Sequence, residues 1–495
     1  MSIFRRKDVA SLQAEVASDT SLKRVLGPVN LVLLGIGAVI GAGIFVLTGQ
    51  AAANYAGPGI VFSFILAGTA CAFAGLCYAE FAAMIPIAGS AYTYGYATLG
   101  ELFAWIIGWD LILEYLFAAS TVAVGWSGYV VSFLKDLAIT IPEAYTSAPY
   151  VHTTPPDAGL NVWRLFTEGW SATGHVLNVP AMFIVAVITI LLIVAISESA
   201  TFNNIAVAIK VTVVLLFIAF GLAYINADNW TPFVPPAEGP GKYGWDGIVR
   251  GAGVIFFAYI GFDAVSTAAQ ECKNPQRDMP IGILGSLVIC TVLYVLFSYV
   301  LSGVATVEDF RTQGREASVA FAISTYMTGY EWLSRLVTVA ILAGFSSVIL
   351  VMLLGQSRVF YSMSRDGLVP SVFSDIHPRF KTPWKANIIF FVLTAIFGAF
   401  VPGDVVGEMT SIGTLFAFML VCAGVWIMRV RRPDIQRGFV VPALPLVAIL
   451  GIVTCGAMIY GLGWTNWMRL AAWLAVGLVI YFGYSRSHSK LETGA

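Results

Sequence analysis

The chain has 495 residues, 58% of them hydrophobic and only 11% charged, with a formal net charge of −1. A soluble protein of this length carries about 25% charged residues, so this composition excludes a soluble globular domain, and the balanced charge gives no case for a nucleic-acid partner. The apolar runs are about 20 residues long and continuous, which argues for membrane-spanning helices and against a β-barrel.

Residues 1–28 are polar and charged and read as a cytoplasmic N-terminal tail. The first apolar run is too long for the core of a cleavable signal peptide. That run, span 1 (29–53), contains Gly35-Ile36-Gly37-Ala38-Val39-Ile40-Gly41-Ala42-Gly43. Glycine is a poor helix former. A helix broken at mid-depth leaves amides and carbonyls that lipid cannot satisfy, so a break there belongs beside a protein cavity. Close helix packing through small residues is the plain structural alternative.

Span 2 (58–84) carries Glu80 near its inner end, which reads as structural. Span 3 (98–134) carries Asp110 and Glu114, four apart and so on one helical face. Residues 135–178 read as a long, partly structured external loop before span 4 (179–196). Span 5 (203–226) holds Lys210 within an apolar run. A lysine there costs several kcal/mol unless it is paired or neutral, which makes it either a proton carrier or half of an ion pair, with Glu114 the expected partner. Span 6 (246–270) has a second interruption, Phe256-Phe257-Ala258-Tyr259-Ile260-Gly261-Phe262-Asp263. Asp263 is read either as a cap for the following half-helix or as a proton sensor.

Spans 7 to 12 are placed at 280–305, 332–358, 386–402, 405–428, 441–463 and 467–484, followed by a C-terminal tail at 485–495. Ser346 and Ser347 in span 8 are candidate hydroxyl ligands for sodium, although serine also bonds readily to its own helix. Only Cys272 of the six cysteines lies outside a span, and none of the four histidines lies within one. A disulfide framework or a metal site is therefore not expected.

Of the 27 Lys and Arg residues, 18 fall on the side of both termini and 8 on the other, Lys210 being the remaining one. Both termini are accordingly expected in the cytoplasm. Interruptions in spans 1 and 6, which run in opposite directions, suggest two inverted repeats of five, 29–226 and 246–428, with two further helices at 441–484. A break at Gly41–Gly43 offers the N-terminus of a half-helix to a carboxylate. The carbonyls of Val39 and Ile40 would accept from an ammonium, so one break suits both ends of an α-amino acid.

The stretches Gly35–Gly49, Tyr92–Tyr115, Phe256–Pro280 and Ser357–Pro370 together resemble the amino acid–polyamine–organocation superfamily, in its cationic amino acid transporter-like branch of bacterial type. The resemblance implies an all-α membrane protein with twelve transmembrane helices in the five-plus-five inverted-repeat (LeuT-like) fold plus two C-terminal helices. It implies a substrate carboxylate on the amides of Ala42 and Gly43, an ammonium on carbonyls near Val39, Ile40, Phe257, Ala258 and Ile260, and Phe256 or Phe257 as an aromatic lid. Lys210 matches the lysine that replaces sodium in proton-coupled relatives. The sodium pattern would use Gly37, Ile40, Ser346 and Ser347, but a protonated lysine beside that position would repel the ion. The sequence departs from the branch in having twelve spans where animal members have fourteen, and in placing Gln270 where an acid is expected before Glu271.

The sequence thus reads as a proton-coupled L-amino acid symporter of the plasma (inner) membrane, working by alternating access. Neutral or cationic substrates fit, with small neutral ones such as alanine favoured. An exchanger without ion coupling, a sodium-coupled symporter and a non-transporting amino acid receptor remain open. No nucleophile motif or metal-spaced cluster points to an enzyme, and no cofactor is expected beyond protons as the coupling ion. Membrane lipids are expected partners. An accessory membrane subunit is not deducible from sequence.

Overall fold

The computed structural model describes residues 5–7, 26–87, 89–152, 167–194, 199–312 and 318–493. Most of the N-terminal tail, residues 153–166 of the external loop and the final two residues fall outside this set. Nine helices among the described residues are long and apolar enough to cross a membrane, and three more apolar helices are shorter. The protein is an all-α membrane protein.

Helix α1 (Pro28–Val39) ends where Ile40 turns extended, at φ −73° and ψ 102°. Helical structure resumes as α2 (43–56), which begins with a π-turn over Gly43–Leu47. The π-turn disturbs the carbonyl ladder, and side chains restore it. Tyr129 and Ser318 both donate to Phe45 O, at 3.1 and 3.0 Å. Gly57 then takes φ +59° and ψ −150°, outside any right-handed helix, so the backbone turns before α3 (Ile60–Met84).

A short helix, α4 (Ser90–Thr98), precedes α5 (101–136), with Gly100 at φ +106° between them. The span expected at 98–134 therefore begins after a separate helix. The segment after α5 forms a two-stranded antiparallel pair, β1 (Tyr150–His152) with β2 (Trp170–Ala172). It leads to α6 (Val179–Val194) and α7 (Ser199–Gly221).

Helix α8 (Gly244–Ile255) gives way to a 3₁₀ turn over Phe256–Tyr259 and an extended Ile260, and a 3₁₀ segment, Asp263–Glu271, follows. Thereafter come α9 (Pro275–Val304), the short α10 (Val307–Thr312) and α11 (Ser318–Tyr326), and α12 (Glu331–Arg365). The chain finishes with α13 (Trp384–Phe400), α14 (Gly403–Arg431), α15 (Leu444–Gly461), α16 (Trp464–Ile480) and the small α17 (Lys490–Thr493).

Two polar clusters tie the helix ends together. Glu80 on α3 is buried and meets Arg429 of α14, Arg437 at 3.2 Å and the amide of Val441 at 2.8 Å. It is structural, as its position near the span end suggested. Glu101 accepts from Tyr96, Tyr481 and Ser489, while Asp366 accepts from Lys7 at 2.5 Å and Tyr92 at 2.7 Å. The amide of Lys490 also bonds Asp366 O, so both ends of the chain are fastened to the end of α12.

Removing one member of a buried ion cluster strands its partners. Glu80→Gln should therefore destabilise the protein by about 3 kcal/mol, seen as a lower melting temperature of the purified protein. An unchanged melting temperature would show that Glu80 is not holding α3 to α14.

Candidate functional site

The two interrupted helices lie break against break. A Cβ placed on Gly43 would sit 2.2 Å from Ala258 Cα, so only glycine lets the backbones approach this closely. In return, Gly261 takes φ +113°, and a Cβ there would sit 2.9 Å from Ala38 Cβ. The inner ends are joined as well: Leu26 N donates to Glu271 O at 3.0 Å and Lys273 N to Leu26 O at 2.9 Å.

Between the breaks lies a cavity of about 10 Å³, room for roughly one water. Ala38, Val39, Gly41, Ala42 and Gly43 form one wall, Phe257 and Ile260 another, and Ala118, Val122, Val348 and Met352 the rest. None of these side chains is charged. Phe257 faces the cavity, whereas Phe256 packs edge-to-face on Phe418 with ring centroids 5.6 Å apart. A second cavity of about 310 Å³ shares Ala42 with the first and is lined by Val46, Gln50, Thr121, Tyr150 and Asp404, with the β1–β2 pair at its edge.

The carbonyls at the breaks are partly engaged. Tyr294 Oη of α9 lies 2.8 Å from Val39 O and 2.9 Å from Ala258 O. Its single proton serves one of them at a time, so Tyr294 clamps both interruptions. Phe257 O accepts from Ile260 N at 3.3 Å. The first-turn amides of the helix resuming at Gly43 have no acceptor within that helix. Sequence reasoning missed Tyr294; its signal was a lone tyrosine in the apolar Thr291–Phe297 stretch of span 7.

Lys210 is buried and donates to Gly37 O at 2.7 Å. Gly344 on α12 makes room for its stem, since a Cβ there would lie 2.9 Å from Lys210 Cε. Asn203 is drawn to the same corner, its Oδ1 lying 2.6 Å from a Cβ built on Gly37. The expected pairing of Lys210 with Glu114 does not form. Both Glu114 oxygens lack a hydrogen-bond partner among the described residues. Glu114 instead lies close enough to interact with Asp263 and Asp110. Spacing along α5 identified its face but not which helix meets that face.

Asp263 opens the 3₁₀ segment, is fully buried and accepts from Tyr115 Oη at 3.0 Å. The residue before that segment, Phe262, has no polar side chain to cap it, while the amides of Asp263 and Ala264 lie close enough to interact with the Asp263 carboxylate. Asp110 is buried too, and neither of its oxygens has a hydrogen-bond partner among the described residues. Ser346 donates to Leu342 O at 2.9 Å and Ser347 to Gly344 O at 3.0 Å, both within their own helix. Of the residues of the sodium alternative, Gly37, Ile40, Ser346 and Ser347, the carbonyl of Gly37 is engaged by Lys210. No cluster of His, Cys, Asp and Glu suited to a metal occurs among the described residues.

Residues 26–483 match the model of the family described as amino acid permease. The chain is 46% identical over 491 residues to the branched-chain amino acid permease BcaP of Bacillus subtilis (strain 168), covering 99% of both chains. It is 41% identical over 491 residues to the methylthioribose transporter of the same organism, again covering 99% of both. With the vacuolar cationic amino acid transporter 4 of Arabidopsis thaliana it shares 36% identity over 435 residues, 88% of this chain and 68% of that protein. The chain belongs to the amino acid permease family, within the superfamily that its sequence resembled.

Gly43→Val should push the two breaks apart and weaken binding of any ligand held there by at least about tenfold, the effect of roughly 1.4 kcal/mol. Calorimetry or thermal shift would read this. Unchanged affinity would remove the Gly43–Ala258 approach from the site.

Proposed function

We propose that this member of the amino acid permease family is a proton-coupled symporter of neutral, aliphatic L-amino acids in the bacterial plasma membrane. The observation that carries this reading is the pair of facing interruptions around an uncharged cavity. Amides of Ala42 and Gly43, at a helix N-terminus, favour the substrate carboxylate. Carbonyls of Val39, Ile40, Phe257, Ala258 and Ile260 bound the ammonium side, and of the two carbonyls beside Tyr294 the one its proton does not serve is open to that group. Phe257 then serves as the lid.

The substrate side chain points to Ala118, Val122, Val348 and Met352. A cationic side chain buried there would have no counter-charge, a costly arrangement. This favours small or branched aliphatic substrates over arginine and lysine, in line with the relative named as a branched-chain amino acid permease. At about 10 Å³ the cavity is closed down, so entry requires the breaks to separate. That is the expected behaviour of a site worked by alternating access.

The chain is read as crossing the membrane twelve times, α1 with α2 and α8 with the Asp263–Glu271 segment each forming one discontinuous crossing. Residues 29–226 and 246–428 are the two inverted repeats, and both termini lie in the cytoplasm. Lys210 is the coupling group: as an ammonium it holds Gly37 O and so braces α1 just before its break. Loss of that proton weakens the brace and frees the break to move. Glu114 and Asp263, side by side beneath Tyr115, form a second place where a proton can reside. The activity is transport without covalent chemistry.

In proteoliposomes, Lys210→Ala should retain counterflow exchange but lose accumulation driven by an inward proton gradient. Accumulation equal to that of the unaltered protein would take Lys210 out of the coupling. A thermal-shift screen of the twenty amino acids should show stabilisation by alanine, valine, leucine or isoleucine and none by arginine or lysine. Stabilisation by methylthioribose instead would redirect the assignment toward the second relative's named substrate.

A further inference from the structure

A cavity of about 320 Å³ opens at the helix ends, lined by Arg6, Lys7, Ala97, Thr98, Ile427, Met428, Arg431 and Arg432. Its volume is at the lower end of the roughly 300–1,000 Å³ typical of small-molecule sites. Four of its eight lining residues are cations and none is acidic. Two of the four charges are answered from outside the cavity. Lys7 reaches Asp366 at 2.5 Å, and Arg432 meets Asp434 at 3.1 Å. Arg6 and Arg431 make no ion pair with any described residue, so two positive charges remain in excess around one concavity.

Surface arginines are common at the inner ends of membrane helices, so charge alone would mean little. The arrangement along α14 separates this case. Arg429, two residues before Arg431, turns into the protein and is neutralised by buried Glu80. Arg431 and Arg432 turn the other way, onto a hollow floored by Ile427, Met428 and Ala97. The only hydroxyl in the lining, that of Thr98, already donates to Tyr94 O at 2.7 Å. Recognition therefore falls to guanidinium and ammonium groups, which match phosphate oxygens in charge and geometry.

We propose that this cavity binds a phosphate group, carried either by an anionic phospholipid headgroup or by a free phosphate compound of the cytoplasm. Lys7 would contact it from the N-terminal segment and Arg431 from α14, with Arg6 completing the cradle. Because Lys7 also holds Asp366, bound phosphate would link the N-terminal segment, the end of α12 and α14 at one point.

The test uses the full-length protein with two probes. One arm compares nanodiscs of phosphatidylcholine with nanodiscs containing phosphatidylglycerol. The other titrates inorganic pyrophosphate at constant ionic strength into the phosphatidylcholine sample. A saturable rise in melting temperature in either arm is expected, and the responding arm identifies the source. Arg6→Gln combined with Arg431→Gln should weaken that response about tenfold or more. Arg431→Lys should keep most of it, as should Arg379→Gln with Lys381→Gln on another exposed loop. Absence of a saturable response in both arms would overturn the proposal, and so would equal weakening in the two double variants.

Discussion

Inside a bilayer no water is at hand for a stray amide or carbonyl, and every other feature of this protein follows from how it meets that constraint. Two helices are interrupted within apolar runs. Neither interruption could persist facing lipid, and here each is covered by the other. Gly43 lies against Ala258 and Gly261 against Ala38, so the irregular backbones share one enclosed space. Tyr294 stands between them with one hydroxyl for two carbonyls. Such a clamp is one proton short of serving both carbonyls at once.

The charged groups divide by what surrounds them. Glu80 is paired with both Arg429 and Arg437 and holds helices together. Among the described residues Lys210 bonds the Gly37 carbonyl, and Glu114 lies against Asp263 and Asp110 with the hydroxyls of Tyr78 and Tyr115 nearby. A group whose charge is compensated by fixed partners resists change in protonation. A group held by one carbonyl, or facing another acid, has its surroundings altered by each proton. That contrast sets Glu80 apart from Lys210 and Glu114 among the buried charged groups.

Much of the site was legible from residue types alone. Glycines at 35, 37, 41 and 43 inside an apolar run, and Gly261-Phe262-Asp263 inside another, announced broken helices without any neighbour information. Lys210 stood out by its depth among apolar residues. Tyr294, Gly344 and Asn203 did not stand out, because each matters only through a contact made across helices. Glu114 illustrates the same limit: its face of α5 was readable, but its neighbour is Asp263 and not Lys210. Likewise Phe256 and Phe257, adjacent in sequence, are told apart only by which one meets Phe418 and which one meets the cavity.

By itself the sequence determined that the chain lives in a membrane, where its helices fail, and which charges are buried with them. These are properties of composition and depth, and each residue carries them wherever its helix is placed. The tertiary structure decided which break faces which, that Lys210 braces Gly37, that Tyr294 closes the pair, and that the lining beyond the backbone is uncharged. Those are properties of distance between residues 36 to 255 positions apart, set by close approach at glycine and by single hydrogen bonds, and no local pattern encodes them.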